Sequence, residues 1–201
     1  MTNHKNIISS IWLKMPALFN PVQRVFNGKF WEVTREMFGH YGQGNVLDLA
    51  CGTGELRKYI NPNVYYGLDI NPNFISFAKK RITGRNTNFI AGDMTTSIPN
   101  VNFDTAFLVS AAHHLSEDQL ETVLKTLKVK KVRRVIIIDG VPFGVISRFL
   151  EWLDDVLGGG EFFKDESELA NITKKFFKIE SRGTYKAPYS LYRYPYVVGT
   201  L

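Results

Sequence analysis

The sequence predicts an α/β fold, in which helices cover both faces of a mostly parallel β-sheet. From Asn45 onward, short runs rich in β-branched and aromatic residues alternate with helical stretches, which is typical of such a sheet. The run from residue 132 to 138 is almost entirely apolar, as in a strand that is buried on both faces. With 201 residues, of which 44% are hydrophobic and 22% charged, the chain is long enough for one domain with its own core.

Strands and helices alternate regularly up to Gly140. Asn71-Pro72 is a favourable helix start, and Ser116 is a favourable N-cap because the acidic Glu117 and Asp118 follow it. Strands are predicted at residues 45–50, 64–69, 87–91, 103–109 and 132–138, and helices at residues 54–60, 71–82 and from 116 onward.

The alternation changes after Gly140. A helix is predicted from Pro142 to Leu157, a second one from Asp165 to Thr173, and two β-like runs at residues 176–184 and 191–198. The short link between these runs contains Pro188 and favours an antiparallel hairpin over a helical crossover. Before Asn45, the sequence predicts an amphipathic segment followed by a helix at residues 29–38. We therefore expect residues 1–44 to form an N-terminal helical cap or lid on one globular unit, residues 45–201.

The strongest functional signal is the segment from Val46 to Gly54. Glycines in a turn from a strand to a helix let the backbone approach a ligand closely, and the first turn of the helix offers unpaired amides. Asp48 lies four positions before Gly52, Asp69 ends the second predicted strand, and Asp93 ends the third. An acid after the second strand suits both hydroxyls of a ribose, and one after the third can accept a hydrogen bond from an adenine amino group.

A dinucleotide is disfavoured because its binding motif needs a third small residue three positions after the second glycine. Arg57 occupies that position here. The pattern therefore predicts an adenosyl ligand without a pyrophosphate.

These motifs resemble those of the class I S-adenosylmethionine-dependent methyltransferases, of the type that act on small molecules. The similarity covers residues 45–140 and rests on DLACGTGEL, YYGLDINPNFISFAKKR, NFIAGDM and FDTAFLVSAAHHLS. It implies a Rossmann-like, seven-stranded sheet with an antiparallel C-terminal hairpin, and S-adenosyl-L-methionine as the cofactor, leaving as S-adenosyl-L-homocysteine. The implied cofactor-binding residues are Asp48, Ala50, Cys51, Gly52, Gly54, Asp69, Ile70, Asp93, Met94 and Val109.

His113 and His114 follow the fourth predicted strand, where this fold faces the methyl group. A hydroxyl or ammonium acceptor must lose a proton, and histidine titrates in the useful range, so these two residues are the candidate general bases. The structural alternative is that one packs under its loop while the other caps the helix that begins at Ser116. No third ligand lies near the pair, so no metal site is predicted.

Two further segments allow two interpretations each. The tyrosines at 192, 194 and 196 share one face of a strand, where they either pack the hairpin or line a substrate pocket. The N-terminal segment, with Trp12, Phe19 and Phe26, either covers the sheet or closes over the pocket, and its Lys14 and Arg24 also allow contact with a membrane surface.

The predicted partner is a small-molecule or lipid-like acceptor. The net charge of +6 allows a nucleic-acid substrate, but Val109-Ser110-Ala111-Ala112 replaces the Asn/Asp-Pro-Pro-aromatic tetrapeptide of enzymes that methylate exocyclic amines. A protein that binds the cofactor without catalysis is a further alternative. A single cysteine, no secretory pattern and no apolar run near the ~20 residues of a membrane span favour a cytoplasmic location.

Overall fold

A computed structural model describes residues 16–143 and 162–201. The strands are β1 (Asn45–Leu49), β2 (Val64–Asp69), β3 (Thr87–Ala91), β4 (Thr105–Val109), β5 (Arg134–Ile138), β6 (Val141–Pro142), β7 (Lys178–Tyr185) and β8 (Tyr192–Thr200). The helices are α1 (Pro16–Asn27), α2 (Phe30–Phe38), α3 (Pro72–Arg81), α4 (Glu117–Val129) and α5 (Glu166–Thr173), with 3₁₀ turns at Gly39–Tyr41, Glu55–Lys58 and Ala112–His114.

One mixed sheet organises these elements. Its strand order is β3-β2-β1-β4-β5-β8-β6, and β7 pairs with the other side of β8 along most of its length. The first five strands are parallel, with Leu47 opposite Ala106 at the centre. Strand β8 runs antiparallel to both β5 and β7, with Ile136 opposite Val198. The predicted mostly parallel sheet and antiparallel C-terminal hairpin are confirmed.

Two hydrophobic cores lie on the two faces of the sheet. Helices α4 and α5 pack on one face through apolar side chains such as Leu124 and Leu169, and α2 and α3 pack on the other through Phe30 and Ile75. Strand β4 is buried throughout its length, as expected for a central strand covered on both faces. The sheet therefore presents functional residues only at its ends and edges.

The N-terminal helices belong to the second core. Phe30 and Phe38 of α2 are almost completely buried and contact Tyr194 and Tyr196 of β8 at ring centroid distances of 4.4 and 5.0 Å. In α1, Arg24 forms an ion pair with Glu55, directly after the glycine turn, at 3.3 Å. Helix α2 is thus built into the protein, while the predicted boundary at residue 44 stays a prediction.

The structure corrects two predicted elements. The helix expected at residues 54–60 is only a four-residue 3₁₀ turn, because Gly54 is left-handed (φ 75°) and no side chain caps the turn. Pro142, placed in a helix by the sequence, lies in the short strand β6, which pairs with the start of β8. Residues 144–157 of that predicted helix, and the N-terminal segment up to residue 15, lie outside the described residues. None of the helices described here is long and apolar enough to cross a membrane.

Candidate active site

The candidate site lies at the carboxyl end of the parallel strands, where β1 and β4 are neighbours. The chain continues from β1 to β2 on one side and returns at β4 on the other, and such a reversal of strand order opens a crevice for ligands. Ala50 follows β1 and Ser110 follows β4, both with φ 52°. Left-handed conformations are costly for residues with a Cβ and cluster at functional sites.

The two glycines of the turn after β1 serve different purposes. Both are left-handed, Gly52 at φ 53° and Gly54 at φ 75°. A Cβ on Gly54 would lie 2.8 Å from Ile82 and Phe89, so this glycine is required for packing. Among the described residues, a Cβ on Gly52 would meet nothing closer than a ring carbon of Phe74 at 4.0 Å, so these residues leave the space beside Gly52 open to a ligand. This arrangement fits an adenosyl ligand approaching the backbone.

Asp69 joins the end of β2 to the glycine turn. Its Oδ2 accepts a hydrogen bond from the Gly52 amide at 2.7 Å, and its Oδ1 accepts one from the Asn71 amide at 2.8 Å. Each carboxylate oxygen has a second lone pair, so both can still accept a hydroxyl of a ribose. Burial raises the pKa of Asp69, and the hydrogen bonds from the two amides oppose this increase. The ribose-binding role predicted for this residue is therefore chemically feasible in the observed geometry.

Asp48 lies beneath the turn and is 2% exposed. The Tyr65 hydroxyl donates a hydrogen bond to its Oδ2 at 2.5 Å. Burial is the main cause that raises the pKa of Asp48 to about 7; the Tyr65 hydrogen bond opposes this increase and the charge of Asp69 adds to it. A desolvated carboxylate of this kind favours a positively charged ligand above it.

Stability without ligand should fall as pH rises from about 4 to 7, because folded Asp48 keeps a proton that the unfolded chain has already released. Asp48→Asn should remove this loss, and its unfolding free energy at pH 8 should exceed that of the wild type by up to about 4 kcal/mol. Urea denaturation at pH 5 and 8 measures this difference. Asp118→Asn, on the exposed surface of α4, is the control. Equal pH dependence in Asp48→Asn and the wild type would contradict the burial argument.

The other residues predicted to bind the cofactor are spread along the same edge. Asp93 is exposed, and its Oδ1 accepts hydrogen bonds from the amide and hydroxyl of Thr95, which lower its pKa. Ile70 is 75% exposed, whereas Val109 is 8% exposed and belongs to the core. Met94 is half-buried against the first core. Cys51 is buried, and burial raises the pKa of its thiol, so only its backbone is suited to face a ligand.

The two histidines differ clearly in their environments. They form the 3₁₀ turn after β4, in which the His113 side chain is 13% exposed and His114 lies on the surface. His113 Nδ1 lies 2.6 Å from Oδ1 of Asp139, which is buried at the end of β5. The Phe163 ring stacks on the His113 ring at 5.5 Å. The helix cap proposed for the second histidine is made instead by Ser116 and Gln119.

Asp139 is a candidate site residue that the sequence analysis did not identify. Its Oδ1 also accepts a hydrogen bond from the Gly140 amide at 2.9 Å, and Oδ2 has no hydrogen-bond partner among the described residues. The signal was available, because Asp139 directly follows an apolar strand, and Asp69 and Asp93 also lie at or just after the ends of strands. Its partner His113 is 26 residues earlier in the chain and could not be identified from spacing.

Tyr194 and Tyr185, two of the aromatic C-terminal residues, pack the hairpin against the N-terminal helices. Tyr194 is fully buried, and its hydroxyl contacts Ser190 at 2.7 Å and Asn27 at 2.9 Å. Tyr185 contacts Thr34 of α2 through its hydroxyl at 3.0 Å. In the part of the chain that the structure describes, no group of three His, Cys, Asp or Glu side chains could hold a metal ion.

Residues 46–130 match a family model described as a methyltransferase domain. A fatty-acid O-methyltransferase from Mycolicibacterium smegmatis is 33% identical over 73 residues, which cover 34% of this chain and 27% of that protein. The chain therefore matches only about a quarter of the length of that relative.

Solved structures share the fold at low sequence identity. A magnesium protoporphyrin IX methyltransferase from Synechocystis with bound SAM superposes with a TM-score of 0.65 and 14% identity, covering 100% of this chain and 99% of that chain. The mitomycin 7-O-methyltransferase MmcR superposes with a TM-score of 0.64 and 18% identity, covering 94% of this chain and 60% of the other. At these identities the likeness establishes the fold alone.

Proposed function

We propose that this chain, whose residues 46–130 are a class I S-adenosylmethionine-dependent methyltransferase domain, transfers a methyl group from S-adenosylmethionine to a small-molecule acceptor and releases S-adenosylhomocysteine. The observation that carries this proposal is the Asp69 carboxylate bound to the Gly52 amide at 2.7 Å. This bond unites the end of β2 and the open glycine turn in one site.

The site is suited to an adenosyl ligand with a positive charge. Asp69 would bind the ribose hydroxyls, and the backbone of residues 50–54 would face the amino-acid part. Asp69 lies close enough to Asp48 for its charge to raise the pKa of Asp48, and a positively charged ligand beside the turn would favour the ionised form of both carboxyl groups. Asp93, Ile70 and Met94 would border the adenine. Val109 supports this edge from the core.

His113 is the better of the two candidate bases. S-adenosylmethionine supplies a methyl group on a sulfonium, which an acceptor atom displaces in line. When Nδ1–H of His113 donates to Asp139, the lone pair lies on Nε2, which can accept a proton from the acceptor. The buried carboxylate fixes this tautomer and stabilises the imidazolium that forms.

A histidine base indicates the class of acceptor. A carboxylic acid is already ionised at neutral pH and needs no base, whereas a hydroxyl or ammonium group must lose a proton. We therefore propose a small or lipid-like acceptor with a hydroxyl or ammonium group. The name of the M. smegmatis relative supports a lipid-like acceptor but implies methylation of a carboxyl oxygen, so carboxylic acids are the comparison in the test.

The remaining alternatives are weaker. Nucleic acid was considered because of the net positive charge, but two of the basic residues, Arg133 and Arg134, pair with Asp104 and Glu180 at 3.0 and 3.2 Å. Membrane contact by the N-terminal segment and a cytoplasmic location stay predictions.

The test is transfer of a labelled methyl group from S-adenosylmethionine to hydroxyl-bearing small molecules, long-chain carboxylic acids and RNA. Label in the first class is expected. A bound cofactor without transfer to any class would favour a non-catalytic binding protein.

A further inference from the structure

Lys164 is a buried cation beside the His113 turn. It precedes α5 by two positions and is only 7% exposed. Its Nζ donates hydrogen bonds to three backbone carbonyls, those of Ala112 at 3.2 Å, Leu115 at 2.5 Å and Phe162 at 2.9 Å. An ammonium group has three protons, and these bonds use all of them. Lys164 is therefore not suited to donate a proton to a substrate.

Two of the carbonyls that Lys164 binds, those of Ala112 and Leu115, lie on either side of His113 and His114. Two more contacts join the same segments, since the Phe162 amide donates to the His113 carbonyl at 2.9 Å and Phe163 stacks on the His113 ring. Residues 162–164 thus hold the backbone of the His113 turn at three carbonyls and its imidazole at one face. Burying a lysine is costly because its ammonium group loses its hydration. General packing therefore does not explain why Lys164 is buried here.

The charges around Lys164 also link this residue to the His113 site. Burial lowers the pKa of Lys164, and Asp139, Glu168 and Glu117 oppose that effect in decreasing order. Asp139 is thus the acid whose charge acts most strongly on the ammonium. Oδ1 of the same Asp139 lies 2.6 Å from Nδ1 of His113.

We propose that Lys164 is a positioning residue that clamps the 112–115 turn and keeps His113 in the tautomer with its proton on Nδ1, bonded to Asp139. The importance of this arrangement for turnover rests on the proposed function. The arrangement itself does not, because the tautomer of His113 is measurable in the absence of any substrate.

The experiment compares Lys164→Met with the wild type and with Lys178→Met, an exposed lysine at the start of β7. Long-range ¹H–¹⁵N spectra of the histidine rings at pH 8 report the tautomer, with His113→Gln providing the assignment. We expect a single Nδ1–H tautomer in the wild type and in Lys178→Met, and a mixture of tautomers in Lys164→Met. Lys164→Gln, which keeps two donors without the charge, should lie between them and replaces the Met variant if that variant does not fold.

Methyl transfer is the second readout. In Lys164→Met, kcat should fall by about 10²-fold with the S-adenosylmethionine affinity nearly unchanged, because misplacing a reacting group by about 1 Å has an effect of that size. A wild-type His113 tautomer in Lys164→Met would overturn the proposal, as would a loss of turnover with the tautomer preserved. A changed tautomer in a protein whose wild type transfers no methyl group would support the clamp and contradict the proposed function instead.

Discussion

Replacing His113 with alanine should lower the turnover rate by ~10²–10⁴-fold and leave the affinity for S-adenosylmethionine nearly unchanged. The reason is geometric. His113 lies on the 3₁₀ turn after β4 with Nδ1 on the buried Asp139, whereas the residues proposed to hold the cofactor follow β1, β2 and β3. Removal of the imidazole takes away the proton acceptor but not the cofactor site. Steady-state kinetics with the identified acceptor, together with calorimetry of the cofactor, separate the two effects.

The pH dependence gives the same prediction a second readout. The wild-type rate should rise with pH as the His113 imidazolium loses its proton, because only neutral imidazole accepts a proton. The variant should lose this limb. His114→Ala is the matched control, since His114 is the exposed neighbour in the same turn, and its rate and pH profile should remain close to those of the wild type. Identical pH profiles in the wild type and His113→Ala would remove the general-base role.

The effect of His113→Ala on activity should also depend on the acceptor, so the variant tests which chemical class the acceptor belongs to. With a hydroxyl acceptor the full loss is expected in His113→Ala. With a long-chain carboxylic acid, which is ionised without help, the same variant should retain most of its activity. An equal loss with both acceptors would indicate that His113 orients the substrate instead of deprotonating it.

Replacing Asp69 with alanine should weaken S-adenosylmethionine binding by about 1–3 kcal/mol, which is roughly 5- to 150-fold in affinity. The variant loses a charged acceptor for the ribose and also the bonds that fix the Gly52 and Asn71 amides at 2.7 and 2.8 Å. Calorimetry with S-adenosylmethionine and S-adenosylhomocysteine measures this change.

Asp118→Ala, on the exposed surface of α4, serves as the control and should bind like the wild type. NAD should not bind to any of the three proteins, because Arg57 occupies the position where a dinucleotide motif needs a small residue. Unchanged affinity in a folded Asp69→Ala, or tight binding of NAD, would contradict the assignment of the ribose site.

Much of the fold was predictable because its signals are local. The apolar run of β5 and the alternation of strands and helices indicate a buried parallel sheet. The capping residues Asn71 and Ser116 mark the starts of α3 and α4 correctly. The 3₁₀ turn at Glu55–Lys58 was predicted as a longer helix, since the left-handed conformation of Gly54 and its packing on Phe89 depend on distant parts of the chain. The two-residue strand β6 exists only through its pairing with β8 and has no local signal of its own.

The residues of the candidate site also fall into two groups, those with a local signal in the sequence and those that depend on long-range contacts. Asp48, Gly52 and Asp69 could be proposed from spacing, because Asp48 lies near the end of β1, Gly52 follows β1 and Asp69 ends β2, all at one edge of the sheet. The choice between His113 and His114 could not, since their neighbouring positions in sequence are equivalent until Asp139 is placed beside one of them. The burial of Lys164 depends on three carbonyls up to 52 residues away. Long-range contacts of this kind require the folded structure.

The most direct measurement of the central claim is transfer of the labelled methyl group from S-adenosylmethionine by the purified chain. The expected result is label in a hydroxyl-bearing or amine-bearing small molecule, with one S-adenosylhomocysteine formed for each methyl group transferred. The transfer should be nearly abolished in His113→Ala and retained in His114→Ala. A protein that binds S-adenosylmethionine but transfers no label to any fraction of a cell extract, or that labels nucleic acid alone, would contradict the account.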